Sequence, residues 1–196
     1  MIRRLDKPNF HARRSQQPPS IIKGIMPMAD AAQWELTKQR IAFTDKMFRD
    51  FMNELTPELW FRMPAEGVTH IAWQVGHITI ANYGLGMLRI RGKKAEDASL
   101  MPESYSQLFG RGSTPSPDQS VHPSVERMVE IYNKVNDKLI EEMETYTLEQ
   151  LDEPSLPDHP LFKTKFDTLV FLPYHAMMHL GQMGLLRRLA GNAPLR

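Results

Sequence analysis

The chain has 196 residues, 41% of them hydrophobic, and sets 24 basic against 23 acidic side chains for a formal net charge of +1. That is apolar material enough for one buried core, without the global field that would draw nucleic acid, acidic substrates or anionic lipid. The chain contains no Cys, which excludes disulfides, thiolate metal ligands and a thiol nucleophile of its own, so a metal would be held by nitrogen and oxygen.

Residues 1–28 begin basic (Arg3, Arg4, Lys7, Arg13, Arg14) and turn polar and proline-bearing (Gln16, Gln17, Pro18, Pro19) without sustained periodicity. They read as a loosely ordered arm ahead of a single domain at 29–192. No apolar signal-peptide core opens the sequence. The most apolar window, residues 71–88, is interrupted by Gln74, His77 and Asn82, whereas a membrane span needs about 18 or more uninterrupted apolar residues. The expectation is a cytoplasmic protein that neither crosses a membrane nor binds nucleic acid.

A first helix is expected at about 30–53, where Trp34, Ile41, Phe48 and Leu55 recur every seven residues and Phe43, Met47 and Phe51 join them at helical offsets. Pro57 and Pro64 then break the chain. Thr69 is a plausible N-cap for a second helix at about 70–89, with Ile71, Val75, Ile78, Leu85 and Leu88 at helical spacing and Gly92 closing it. From 93 to 123 the pattern dissolves into a Gly-, Ser- and Pro-rich connection with a short apolar anchor at Tyr105, Leu108 and Phe109. A third helix follows at about 124–146, opened by Ser124, with Val125, Met128, Ile131, Val135, Leu139 and Met143 spaced by threes and fours. After a linker holding Pro154, Pro157 and Pro160, Thr164 and Asp167 stand at capping-box spacing before a fourth helix that Gly191 ends near 190. Four helices and no strand-like alternation predict an all-α four-helix bundle, and the long crossover between helices 2 and 3 predicts up-down-down-up order.

His175 and His179 are four apart on the fourth helix, about 40° around its axis and about 6 Å along it, so both imidazoles lean toward one point. The spacing alone is weak evidence, since seven His in a chain of this length give about 0.25 such pairs by chance. Context strengthens it. Apolar residues crowd both histidines in the segment Phe171-Leu-Pro-Tyr-His175-Ala-Met-Met-His179-Leu180, and His77 sits in a similar setting on the second helix. A lone buried imidazole reads as a hydrogen-bonded core residue, whereas three in matching surroundings read as a divalent-metal site with metal–nitrogen distances near ~2.1 Å. Neutral imidazoles suit zinc, nickel, iron or copper over magnesium or calcium. A fourth position would stay open for water or substrate.

Gln74 and Gln182, each three residues from a proposed ligand, are candidate helpers, and Asn82 and Tyr83 are candidate substrate contacts; ordinary polar satisfaction of the bundle accounts for all four equally well. Pro173, inside the fourth helix, predicts a kink that frees the Leu169 carbonyl near the pair. A zincin would need Glu after His175, where the chain has Ala176, and a ferritin-like di-iron centre would need Glu three residues before each His, where it has Leu172, Ala176 and Gln74.

The segments WQVGHI ending near His77, LFGRG in the crossover, and HAMMHLGQ followed by LLRRLAG resemble the DinB-like (DinB/YfiT) four-helix metalloproteins over about 31–191. The resemblance implies the up-down-down-up bundle, a homodimer, and zinc or nickel held by His77, His175 and His179. Some relatives are thiol-dependent transferases and isomerases. Glu often follows the first histidine of the pair in that family, and Ala176 replaces it here.

Three functions follow as expectations. In the leading one, the open metal position lowers the pKa of a borrowed low-molecular-weight thiol and presents it to an electrophile, as in a transferase or isomerase. A second is hydrolysis through metal-activated water, for which no base stands out. A third is a metal-stabilised binding or stress-response module without turnover.

Overall fold

The computed structural model describes residues 29–157 and 159–194, so the arm expected at 1–28 lies outside the described residues. Four long helices dominate. They are α1 (Ala31–Asn53), α2 (Ile71–Tyr83, running on through Gly84–Leu88 and Arg89–Arg91), α3 (Val125–Met143) and α4 (Lys165–Leu189). Among the described residues there is no strand, only an isolated bridge between Pro154 and Thr164.

Each long helix starts where the chain supplies a side-chain acceptor for the first free N–H groups. Asp30 takes the Gln33 N–H, Ser124 the Arg127 N–H, and Thr164 forms a reciprocal capping box with Asp167. At α2 the expected cap, Thr69, is displaced by its neighbour. The His70 imidazole accepts the Trp73 N–H through Nδ1, and Thr69 Oγ1 instead accepts from the Gln74 side chain at 2.5 Å.

Two expected core positions turn outward. Phe43 is 61% exposed because it lies opposite the face that Ile41, Phe48 and Met52 bury. Leu88 is 36% exposed because Gly84–Leu88 forms a turn of π-helix, whose extra residue shifts the following register and delivers Met87 and Ile90 to the core. Gly86 permits that passage: a Cβ there would stand 2.6 Å from Leu139 Cδ1. Hydroxyl donors serve carbonyls of the turn, Thr168 to Leu85 at 2.9 Å and Tyr146 to Gly86 at 3.0 Å.

Contacts between the helices fix their directions. Asn82 meets Asn136 and Arg91 meets Glu142, so α2 and α3 run the same way, while Gln74 meets His179 and Leu85 meets Thr168, so α2 and α4 run oppositely. A same-way pair needs a long return, and residues 93–123 supply it with short helical turns at Asp97–Leu100, Ser104–Phe109 and Gln119–Val121 where the sequence suggested irregular chain. The return is tied down at both ends. Near its start Arg91, buried between α2 and α3, pairs with Asp97 at 2.8 Å and Glu142 at 2.6 Å. Near its finish His70 and His122 both donate from Nε2 to the Ser116 carbonyl at 2.9 Å, with Phe61 stacked on His122. Between these anchors Phe109 is wholly buried and its ring lies on α2 at Gly76, where a Cβ would come within 2.3 Å of it.

Candidate metal centre

The opposed run of α2 and α4 sets His77 against His175 and Gln74 against His179. His179 is buried, and His77 and His175 are half-buried above it. Ring centroids lie 5.4 Å apart for His77 and His175, 4.9 Å for His77 and His179, and 4.6 Å for His175 and His179. One ring nitrogen from each falls within 4.8 Å of the others, a group that could hold a metal ion. The two Nε2 atoms of α4 stand 3.0 Å apart. Two nitrogens at that spacing, each about 2.1 Å from a shared ion, would subtend about 90° at it, which fits cis ligands of a single centre.

Hydrogen bonds determine which nitrogens are free. His77 Nδ1 lies 2.9 Å from the Phe109 carbonyl, which can only accept, so Nδ1 carries the proton and Nε2 keeps its lone pair. Gln74 spends its amide N–H on Thr69, which turns its carbonyl oxygen toward His179 Nδ1 and fixes the same tautomer there. Such anchoring of the far nitrogen is the usual support of a metal-ligating histidine. His175 Nδ1 is buried without a partner, and Phe171 stacks on its ring at 5.2 Å. Burial first, then the neighbouring His77, pushes the His175 pKa down to about 4; burial, then His175 and His77, pushes that of His179 to about 3. Both imidazoles are therefore neutral at pH 7, the form that ligates metal.

Of the two expected helpers, Gln74 and Gln182, and the two expected substrate contacts, Asn82 and Tyr83, Gln74 is hydrogen-bonded to an imidazole, that of His179. Gln182 is on the exposed side of α4. Asn82 is buried against α3, donating to Asn136 Oδ1 at 2.7 Å, and Tyr83 donates to Asp97 at 3.1 Å. Both sit beyond His77 on other faces of α2. Pro173 lies inside α4, as expected, and is buried. Sequence reasoning missed the role of the crossover. Phe109 contributes a backbone oxygen, and Ser113 accepts the Trp73 indole N–H at 2.8 Å, pinning a ring that stacks on His77 at 4.7 Å and 9°. The signal for the first was Gly76 in WQVGHI and Phe109 in LFGRG, but only contact in three dimensions pairs them.

Comparison with curated proteins finds no match. The family model for the DinB superfamily matches residues 40–183, a span that takes in all three histidines, both glutamine helpers and the whole crossover. Covering well over half of the sequence, the match establishes that the chain belongs to the DinB superfamily.

Proposed function

We propose that this is a divalent-metal-binding protein whose three-histidine site, with zinc or nickel, serves thiol-dependent transfer or isomerisation in the cytoplasm. The observation that carries the reading is the anchoring of His77 and His179 through Nδ1 to the Phe109 carbonyl and the Gln74 amide, which leaves their Nε2 lone pairs free beside His175 Nε2. Bound there, the ion supplies Lewis acidity that lowers the pKa of a small thiol. Everything else falls to the chain. It lacks Cys, so the sulfur nucleophile comes from outside. His179 forms a buried floor, and half-buried His77 and His175 leave approach from solvent. In a transfer the thiol proton passes to solvent, a carbon–sulfur bond forms, and the leaving group departs with its electron pair.

A second reading has support in the same geometry. The imidazoles come from two helices, so an ion would also staple α2 to α4 and could serve folding alone. Thiol titration of the cobalt-substituted protein separates the two. The catalytic reading predicts a saturable change in the cobalt spectrum with a glutathione-like or bacillithiol-like thiol, and a helical circular-dichroism spectrum that survives chelation. A spectrum indifferent to thiols, with helicity lost on chelation, supports the staple and contradicts the thiol reading.

A further inference from the structure

The helices that carry the histidines bring no charged side chain of their own to the site. Between residues 71 and 88 and between 168 and 186 there is no Asp, Glu, Lys or Arg. Three neutral imidazoles leave a divalent ion its double positive charge, so the open position favours an anionic ligand. The crossover adds to that field. Its segment 109–113 is fixed to the rims of two stacked rings: His77 Nδ1 donates to the Phe109 carbonyl at 2.9 Å, and the Trp73 indole N–H donates to Ser113 Oγ at 2.8 Å. Ser113 in turn donates from Oγ to the Leu108 carbonyl at 3.0 Å. Its N–H closes a tight turn onto the Gly110 carbonyl, also at 3.0 Å, with Gly112 at a φ of 89° that glycine adopts readily. At the tip of this turn, two residues from each anchor, stands Arg111. It is exposed and, among the described residues, has no ion-pair partner. No acidic residue lies between Ser104 and Pro117, and Asp118 beyond them is bonded to Ser120.

We propose that Arg111 is a specificity-determining residue: the small thiol taken at this site carries a carboxylate at the end away from its sulfur, and Arg111 pairs with it. The inference rests on the thiol reading above and adds the chemical class of thiol that the site selects. Two peptide units separate Arg111 from Phe109, a span of at most about 7.6 Å between their Cα atoms. That places the guanidinium within the length of a small molecule of the imidazoles. Its planar fork matches a carboxylate, and a pair at an exposed arginine adds a few-fold in affinity that salt weakens.

Two thiols of equal chain length test this on the cobalt-substituted full chain: 6-mercaptohexanoate and 6-mercaptohexanol, which differ in a carboxylate against a hydroxyl. Each is titrated at low ionic strength while the cobalt spectrum is read. The metal's own charge acts on both thiols in every variant, so the comparison between variants isolates Arg111. The proposal predicts that the wild type prefers the carboxylate roughly two- to fivefold more strongly than Arg111→Gln does. Arg111→Lys should keep most of that preference, and added salt should erode it. Affinities for cobalt and for mercaptohexanol should match in the wild type and Arg111→Gln. An equal carboxylate preference in those two proteins, with saturable binding of mercaptohexanol to both, overturns the proposal and leaves the thiol reading standing. Binding of neither thiol overturns the thiol reading and this inference with it, and a chain that takes up no cobalt overturns the metal reading as well.

Discussion

His77 and His179 have the same job for their far nitrogen and solve it differently. His179 uses a side chain one turn before His77 on the facing helix, Gln74, whereas His77 uses a backbone carbonyl delivered by the crossover. The second solution depends on a residue with no side chain. Gly76 lets the Phe109 ring approach α2, so Gly76→Ala would force it away from a 2.3 Å clash. Overpacking of this kind costs about 1–3 kcal/mol, and loss of an anchoring partner typically weakens metal binding about 10- to 100-fold. Both effects are expected in Gly76→Ala, read by denaturant unfolding and by competition with a chromophoric chelator. Wild-type affinity in that variant would dissociate Phe109 from the site. The histidines themselves were legible because imidazoles at i and i+4 on an apolar helix face stand out in one dimension. Phe109 was not, because any residue can offer a carbonyl.

Among the elements, α1, α3 and α4 could be drawn from periodicity and capping residues to within a few positions. The start of α2 fell within one position too, but its cap was not legible, because histidine is an uncommon cap and Thr69 next to it is a common one. Nor was the π turn at Gly84–Leu88, since the pattern through Leu85 and Leu88 fits an ordinary helix until Leu139 and Tyr146 are packed against Gly86. The cap has a consequence in acid. Burial first, and His122 second, lower the His70 pKa to about 4 against the opposing pull of the Ser116 carbonyl. The unfolded chain then binds more protons between pH 4 and 6.5 than the folded one, so this contribution is full above pH 6.5 and fades as pH falls toward 4. One such group sets a slope of up to about 1.4 kcal/mol per pH unit. His70→Asn, which keeps a good cap but does not titrate, should unfold with a shallower pH dependence across that window in denaturant titrations. Superimposable pH profiles would remove His70 from the acid response.

For the whole molecule, the four long helices and the long connection followed from the sequence, while the way the connection braces the site did not. Its length signalled a crossover; its anchoring by Arg91 with Asp97 and by His70 with His122 arises from residues distant along the chain. The outer face of α4 carries exposed apolar side chains. Tyr174, Met178, Leu185 and Leu189, 48–60% exposed, fall within one narrow stripe. For the homodimer that the family resemblance implies, we propose this stripe as the pairing face, and Leu185→Glu is then expected to shift the mass seen by light scattering from dimer to monomer. A wild-type chain that is monomeric at high concentration would contradict it.

The central claim is that His77, His175 and His179 together hold one divalent ion, and elemental analysis after equilibrium dialysis tests it most directly. The account predicts about one zinc or nickel per chain in the wild type, and a sharp loss in each of His77→Ala, His175→Ala and His179→Ala, with helical circular-dichroism spectra retained. Unchanged metal content in all three variants, or a wild-type chain that retains none, would contradict it.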